Sequence, residues 1–172
     1  MSKHLATRIG GRRVLAGAVF AGLLAGCGRS APPPAAVTTA PEFELKDVDG
    51  KLFRLADTKG TVRLVDFWAT WCAPCREEIP MFKELHATYG AKGFTLVGIA
   101  MDDEGLPTVK PFVDALHLPY PTLIGNDAVA DAFGGIVGFP SAFLIDREGH
   151  IVETWVGAVP RAVLEKRIQS LL

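Results

Sequence analysis

A strand-forming run leads into two closely spaced cysteines and then into a helix, and no other stretch of the 172 residues restricts the fold so tightly. Val62-Arg63-Leu64-Val65-Asp66-Phe67-Trp68 is rich in β-branched and aromatic residues and reads as a central strand. Cys72-Ala73-Pro74-Cys75 follows at once. From Arg76 to Tyr89, the residues Ile79, Phe82, Leu85 and His86 recur at helical spacing, Glu77, Glu78, Lys83 and Glu84 occupy other faces, and Gly90 is placed to cap the helix. A C-x-x-C at this junction sets Cys72 at a helix N-terminus, where unpaired N–H groups and the positive end of the macrodipole favour a thiolate. Pro74 fits the first turn because no intrahelical bond is lost there, and it brings Cys75 within reach of Cys72 as a resolving thiol. Zinc would require two further ligands. No second C-x-x-C exists, and His86, His117 and His150 lack ligand spacing.

The rest of the chain alternates strands with helices. Phe43 to Leu45 and Leu52 to Leu55 are short apolar alternations around Asp49-Gly50, a two-residue hairpin signal. Phe94 to Met101 reads as a second buried strand, Thr108 to Leu116 as a helix and Asn126 to Phe133 as a short helix. Ser141 to Ile145 and Ile151 to Val156 flank Asp146-Arg147-Glu148-Gly149 as an antiparallel hairpin, and a terminal helix runs from about Pro160 to Leu172. This order predicts an α/β sheet covered on both faces. At this length one compact domain is expected, over residues 42–172, with appendages before it.

Those appendages have their own logic. Residues 1–26 carry Lys3, Arg8, Arg12 and Arg13 and no acid, then an apolar stretch from Val14 to Leu24 about half as long as the roughly 20 residues a spanning helix needs. That is the layout of a signal peptide. Leu24-Ala25-Gly26-Cys27 resembles the lipobox of bacterial lipoproteins, which implies that Cys27 is acylated after cleavage and becomes the N-terminus. From Gly28 to Pro41 the sequence GRSAPPPAAVTTAP has no helical or strand period and reads as an extended tether over residues 27–41. At about 3.1 Å per residue its 14 positions reach roughly 40 Å. With four basic residues in the leader, the remaining 14 Lys and Arg face 19 Asp and Glu, which argues against a nucleic-acid surface.

Val65 to Cys75 resembles the thioredoxin superfamily signature, and Phe67 to Pro80, FWATWCAPCREEIP, resembles more narrowly the TlpA/ResA-like branch of bacterial extracytoplasmic thiol-disulfide oxidoreductases. The likeness covers the chain from about Glu42 onward. It implies an α/β thioredoxin-like fold, a central mixed β-sheet flanked by helices with an N-terminal β-hairpin. It implies Cys72 as nucleophile and Cys75 as resolver, with Trp71, Ala73 and Pro74 around the disulfide. Pro80 matches the bend of the family's active-site helix. Gly138-Phe139-Pro140 matches its cis-proline loop, so Phe139 and Pro140 are expected to dock substrate; the residues themselves also fit a trans-proline opening an edge strand.

Two acids are candidates for moving protons. Asp66 lies in an apolar strand six residues before Cys72, where a buried carboxyl has a raised pKa and is suited to take the proton of Cys75. Thioredoxins carry an acid there, whereas many TlpA/ResA-like proteins carry Asn. Glu78 matches a glutamate near the cysteines of ResA-like proteins and lies one helical turn beyond Cys75; it reads equally well as a solvated helix residue. Trp68 is expected to pack beneath the site.

The resemblance implies no metal and no cofactor beyond a redox-active Cys72–Cys75 disulfide. It implies exported disulfide-containing clients such as apocytochrome c, a membrane thiol donor of the DsbD/CcdA type, and a monomeric domain facing the periplasm or the cell exterior. Ala73-Pro74 lacks the histidine of strongly oxidising relatives, which favours reduction. Two other readings compete. Asp102 to Phe133 resembles segments of the redoxin/peroxiredoxin group, but that group carries Pro seven and Thr three residues before its reacting cysteine, where this chain has Val65 and Ala69. Two thiolates also suit Cu(I), although the chain has only three methionines to support such a site.

Overall fold

The computed structural model describes residues 38–172. The expected signal peptide, Cys27 and the tether up to Val37 lie outside the described residues. In chain order the elements are β1 (Thr38–Thr39), β2 (Glu44–Lys46), β3 (Leu52–Arg54), β4 (Val62–Trp68), α1 (Ala73–Tyr89), β5 (Phe94–Ala100), α2 (Leu106–Leu116), β6 (Thr122–Ile124), α3 (Asp127–Ala132), β7 (Ser141–Ile145), β8 (His150–Val156) and α4 (Arg161–Leu171).

Six strands form one sheet in the order β1-β8-β7-β4-β5-β6. It is mixed: β4, β5 and β6 run parallel, whereas β7 is antiparallel to both β4 and β8, and β1 is antiparallel to β8. All seven residues of β4 are buried because β4 is paired on both edges and covered on both faces. This is why its sequence reads as a continuous apolar run rather than an alternation.

Alternate residues of the strands feed two separate cores. Val62 and Leu64 of β4, Leu96 of β5 and Leu144 of β7 pack with Phe82 and Leu85 of α1 and Leu164 and Ile168 of α4. Val65, Phe67, Val97, Ile99 and Phe143 pack on the other face with Leu45 of β2 and Val129 and Phe133 around α3. Burying each such leucine or phenylalanine contributes about 1.5–3 kcal/mol. A third cluster forms at the carboxyl ends of β4 and β5, where Trp68, Cys72, Cys75 and Ala100 meet Val109 and Val113 of α2.

Four expectations need correction. The folded part begins four residues before the expected boundary: Thr38 and Thr39 pair with Ile151 and His150, and Ala40 is buried, so 38–41 belongs to the sheet rather than to a tether. The hairpin of β2 and β3 is present, but its loop is not a two-residue Asp49-Gly50 turn. The Asp47 N–H donates to the Lys51 carbonyl at 2.9 Å, leaving a three-residue loop, and the Asp47 Oδ1 accepts the N–H groups of Asp49 and Lys51. Gly50 supplies the left-handed residue that such a loop needs, with φ +79°. Gly90 stays right-handed, and the chain turns on through residues 90–92 to stop at Gly93, φ +94°. Finally, β6 is a strand that sequence pattern did not show: at three residues, just after Pro119-Tyr120-Pro121, it is too short to alternate. Val48 donates to the Thr122 carbonyl at 3.0 Å, so the hairpin covers this edge of the sheet.

Candidate active site

The chain leaves the sheet at Trp68, whose carbonyl accepts the Met101 N–H at 2.9 Å and so ties β4 to β5 at their carboxyl ends. A tight turn follows, with the Cys72 N–H donating to the Ala69 carbonyl at 3.1 Å. Cys72 is the N-cap of α1, and its Sγ accepts the Cys75 N–H at 3.3 Å. A sulfur thus fills the place that a serine or aspartate oxygen fills in an ordinary helix, among N–H groups that no helical carbonyl satisfies. The same environment favours a thiolate once the pair is reduced.

Cys72 and Cys75 are disulfide-bonded, with Cα atoms 5.3 Å apart, and both are buried. Ala73 and Pro74 are exposed beside them. Trp71 is 67% exposed and stands edge-on to the Phe139 ring at 5.7 Å between centroids. The Phe139–Pro140 bond is cis. The loop is fixed from both sides: the Pro140 carbonyl accepts the Gly157 N–H at 2.8 Å, and Ser141 Oγ donates to the Gly138 carbonyl at 2.7 Å. Next to the disulfide a cleft of about 590 Å³ is lined by Trp71, Ile136, Val137 and Phe139 on its apolar side and by Asp103, Asp127 and Asp131 on the other. Trp68 packs beneath the cysteines against Phe112, at 5.5 Å between centroids.

Asp66 and Glu78 lie below this surface, both buried. The Asp66 Oδ1 has no hydrogen-bond partner among the described residues. Burial pushes its carboxyl well above the ordinary carboxylate range, and the charge of Glu78 pushes it in the same direction. Glu78 is raised less. Burial lifts it, but its Oε1 accepts the Val159 N–H at 2.8 Å, which favours the charged form. Glu78 is therefore not the solvated helix residue that its sequence context equally allowed, and the two acids form one interacting pair.

Sequence reasoning missed Asp102. It is buried at the end of β5, and its carboxylate accepts the Thr70 N–H at 3.1–3.2 Å and the Thr70 hydroxyl at 2.5 Å. It thereby anchors the turn that delivers Cys72. The available signal was an acid placed directly after the apolar run Phe94 to Met101, at the strand end where α/β sheets build their sites. Tyr120, also missed, is buried between α2 and β6. The structure sets the exposed Trp71, Ala73 and Pro74 and the half-buried Phe139 around the buried Cys72–Cys75 disulfide, and Pro140, Asp66 and Glu78 are buried as well. Cys27 lies outside the described residues.

Residues 37–154 match the sequence pattern of the AhpC/TSA family. The thiol-disulfide oxidoreductase ResA of Bacillus thuringiensis (strain Al Hakam) is 33% identical over 132 residues, covering 77% of this chain and 76% of that one. A crystal structure of a thiol:disulfide interchange protein of the thioredoxin family from Chlorobium tepidum TLS superposes with a TM-score of 0.74 at 38% identity, over 81% of this chain and 99% of that one. The exposed lipoprotein thioredoxin Etrx1 of Streptococcus pneumoniae strain TIGR4 gives a TM-score of 0.68 at 26% identity, over 76% and 100%. Together with a disulfide-bonded C-x-x-C capping the first helix of a thioredoxin-like sheet, these likenesses establish that the chain belongs to the thioredoxin-like AhpC/TSA family and is a thiol-disulfide oxidoreductase of the ResA type.

Proposed function

We propose that this oxidoreductase is exported, held at a bacterial membrane by a lipid on Cys27, and reduces disulfides of exported proteins there, cytochrome c maturation being its setting. The observation that carries the reducing direction is the Ala73-Pro74 pair between the cysteines, which puts no histidine beside Cys72. The likeness to an exposed lipoprotein thioredoxin supports the tether.

In this reading, the Cys72 thiolate attacks one sulfur of the client disulfide, a mixed disulfide forms and the first client thiolate leaves. Cys75 passes its proton to the Asp66 carboxylate, with Glu78 setting the charge around it, and the resulting thiolate attacks the Cys72 Sγ. The second client thiolate departs and is protonated. Two electrons have passed to the client, and Cys72–Cys75 is again a disulfide, to be reduced by a membrane donor of the DsbD/CcdA type. Trp71, Ala73 and Pro74 contact the client, and Phe139 with Pro140 holds it against the pair.

The reduction potential measured against a glutathione series tests the direction. A value near or below thioredoxin's, about −270 mV, is expected, and one near −120 mV overturns the reductase reading. Cys75→Ser is expected to accumulate a mixed disulfide with a client, and Cys72→Ser none. The match to the AhpC/TSA family favours one other reading, a thiol peroxidase. Peroxide consumption by the reduced protein without any disulfide substrate decides for it.

A further inference from the structure

Asp66 stands opposite Gly98 in the β4–β5 register and opposite Ala142 in the β4–β7 register. Paired residues of neighbouring strands project from the same face, so a side chain at 98 would stand directly beside the Asp66 carboxyl. Glycine leaves that room empty, and two aromatic rings take it. A Cβ at 98 would come 3.0 Å from Trp68 Nε1 and 3.6 Å from Tyr120 Cε2.

Tyr120 is 7% exposed and forms part of the wall of a second cleft, about 600 Å³, between His117 and Leu118 after α2 and Val48 and Asp49 of the hairpin loop. The titratable groups on the elements packed around Asp66 are few. From α1 come Cys75 and Glu78, with His86 further along facing the Tyr120 ring at 6.1 Å between centroids. Gly98 and Leu96 of β5, Ala142 and Leu144 of β7, and Leu164 and Ile168 of α4 carry no charge. The Asp66 Oδ1 is buried and unpartnered among the described residues.

We propose that Tyr120 is a positioning residue for Asp66: its ring, laid over Gly98, seals the buried carboxyl from the cleft behind it, so that water reaches Asp66 only from the disulfide side. This rests on the reading of Asp66 as the acceptor of the Cys75 proton. The transfer itself is simple. The Cys75 S–H bond breaks, an O–H bond forms on the Asp66 carboxylate, and the sulfur keeps the electron pair with which it attacks Cys72. Keeping Asp66 dry brings the affinities of oxygen and sulfur for the proton closer together, which makes the transfer easy in both directions. Tyr120 suits the task because it fills the space without adding a charge: burial and the two nearby carboxyls push its phenol well above its ordinary value, so it stays neutral.

The test is the carboxyl titration of Asp66, followed by carbon-13 NMR in the oxidised protein, where neither active-site cysteine titrates. Tyr120→Leu is expected to lower the Asp66 midpoint by at least about one unit, a tenfold change in proton affinity. Tyr120→Phe, which keeps the ring, is expected to leave the midpoint in place. An unchanged midpoint in a natively folded Tyr120→Leu protein overturns the proposal, and so does an equal drop in Tyr120→Phe. Where Tyr120→Leu fails to fold, Tyr120→Met reads the same seal, because its flexible chain occupies the space without a flat ring over Gly98; a lowered midpoint supports the seal and an unchanged one overturns it. Failure of the underlying reading looks different. Asp66→Asn would then reduce disulfides with the wild-type pH profile, whatever Tyr120 does to the titration.

Discussion

Glu78 accepts the backbone N–H of Val159 at 2.8 Å, joining the second turn of α1 to the segment that leads into α4, 81 positions away. Both residues are buried, so removing the acceptor strands a donor that water does not reach. Glu78→Ala is expected to cost about 1–3 kcal/mol for that lost partner, visible in denaturant or thermal melts. Glu78→Gln keeps an oxygen for Val159 and removes the charge that acts on Asp66. It is expected to melt closer to wild type while moving the pH profile of disulfide exchange to lower pH. A Glu78→Gln protein that melts like Glu78→Ala would show that charge, and not the hydrogen bond, holds the two segments.

Asp66 makes stability depend on pH in the direction opposite to an ion-paired carboxylate. Its folded pKa is raised above the unfolded value, chiefly by burial, so between those two values the folded chain binds more protons than the unfolded one. Stability contributed by the neutral form is complete below the unfolded value, near pH 4, and falls as pH rises toward the folded pKa. Each unit of elevation corresponds to about 1.4 kcal/mol. Asp66→Asn removes this loss. Its advantage over wild type in urea melts of the oxidised protein is expected to be small at pH 4 and larger at pH 8. A constant difference across that range contradicts the assignment.

Much of this arrangement was legible in the sequence. The continuous apolar run of β4, the C-x-x-C after it and the periodic Ile79, Phe82 and Leu85 fixed the central strand, the redox pair and the covered face of α1, because strand pairing and helical spacing act over a few residues. Asp66 was readable because a carboxyl inside such a run is costly to bury, and a chain tolerates that cost where the group has a chemical task. What could not be read depends on residues far apart in the chain. Glu78 looks like Glu77 and Glu84 until Val159 is placed beside it, Asp102 gains meaning only from Thr70 across 32 positions, and Tyr120 matters only because residue 98 is glycine. The start of the domain was misplaced for a similar reason. Thr38 and Thr39 carry no pattern of their own, and their strand exists only where β8 offers an edge.

The exposed Trp71 separates binding from folding. With most of its surface in solvent, its removal leaves no cavity, and Trp71→Ala is expected to change stability by less than about 0.5 kcal/mol. Its ring nevertheless forms one wall of the cleft beside the disulfide, against Phe139. Reduction of a protein disulfide by Trp71→Ala is therefore expected to slow, while reduction of a small aromatic disulfide reagent, which does not need the cleft, stays near the wild-type rate. Equal slowing toward both substrates would place the effect of Trp71 on Cys72 itself.

The Asp102–Thr70 contact predicts non-additive energetics that also reach the chemistry. One carboxylate receives both the N–H and the hydroxyl of Thr70, and both donors lie in the turn that ends at Cys72. Thr70→Val removes the hydroxyl donor alone, and Asp102→Ala strands both donors, so the second is expected to be the more destabilising, by about 1–3 kcal/mol against wild type. Once Asp102 is gone, the hydroxyl has no partner to lose, so adding Thr70→Val should cost little more. The double-mutant cycle is expected to give a coupling of about 0.5–3 kcal/mol. A simple loss of stability would leave the Cys72 thiolate untouched, whereas a turn that has lost its anchor reorients the helix N-terminus around the sulfur. The alkylation rate of reduced Cys72 as a function of pH distinguishes these outcomes: its midpoint is expected to rise in Asp102→Ala and to hold in Thr70→Val, which keeps the N–H bond.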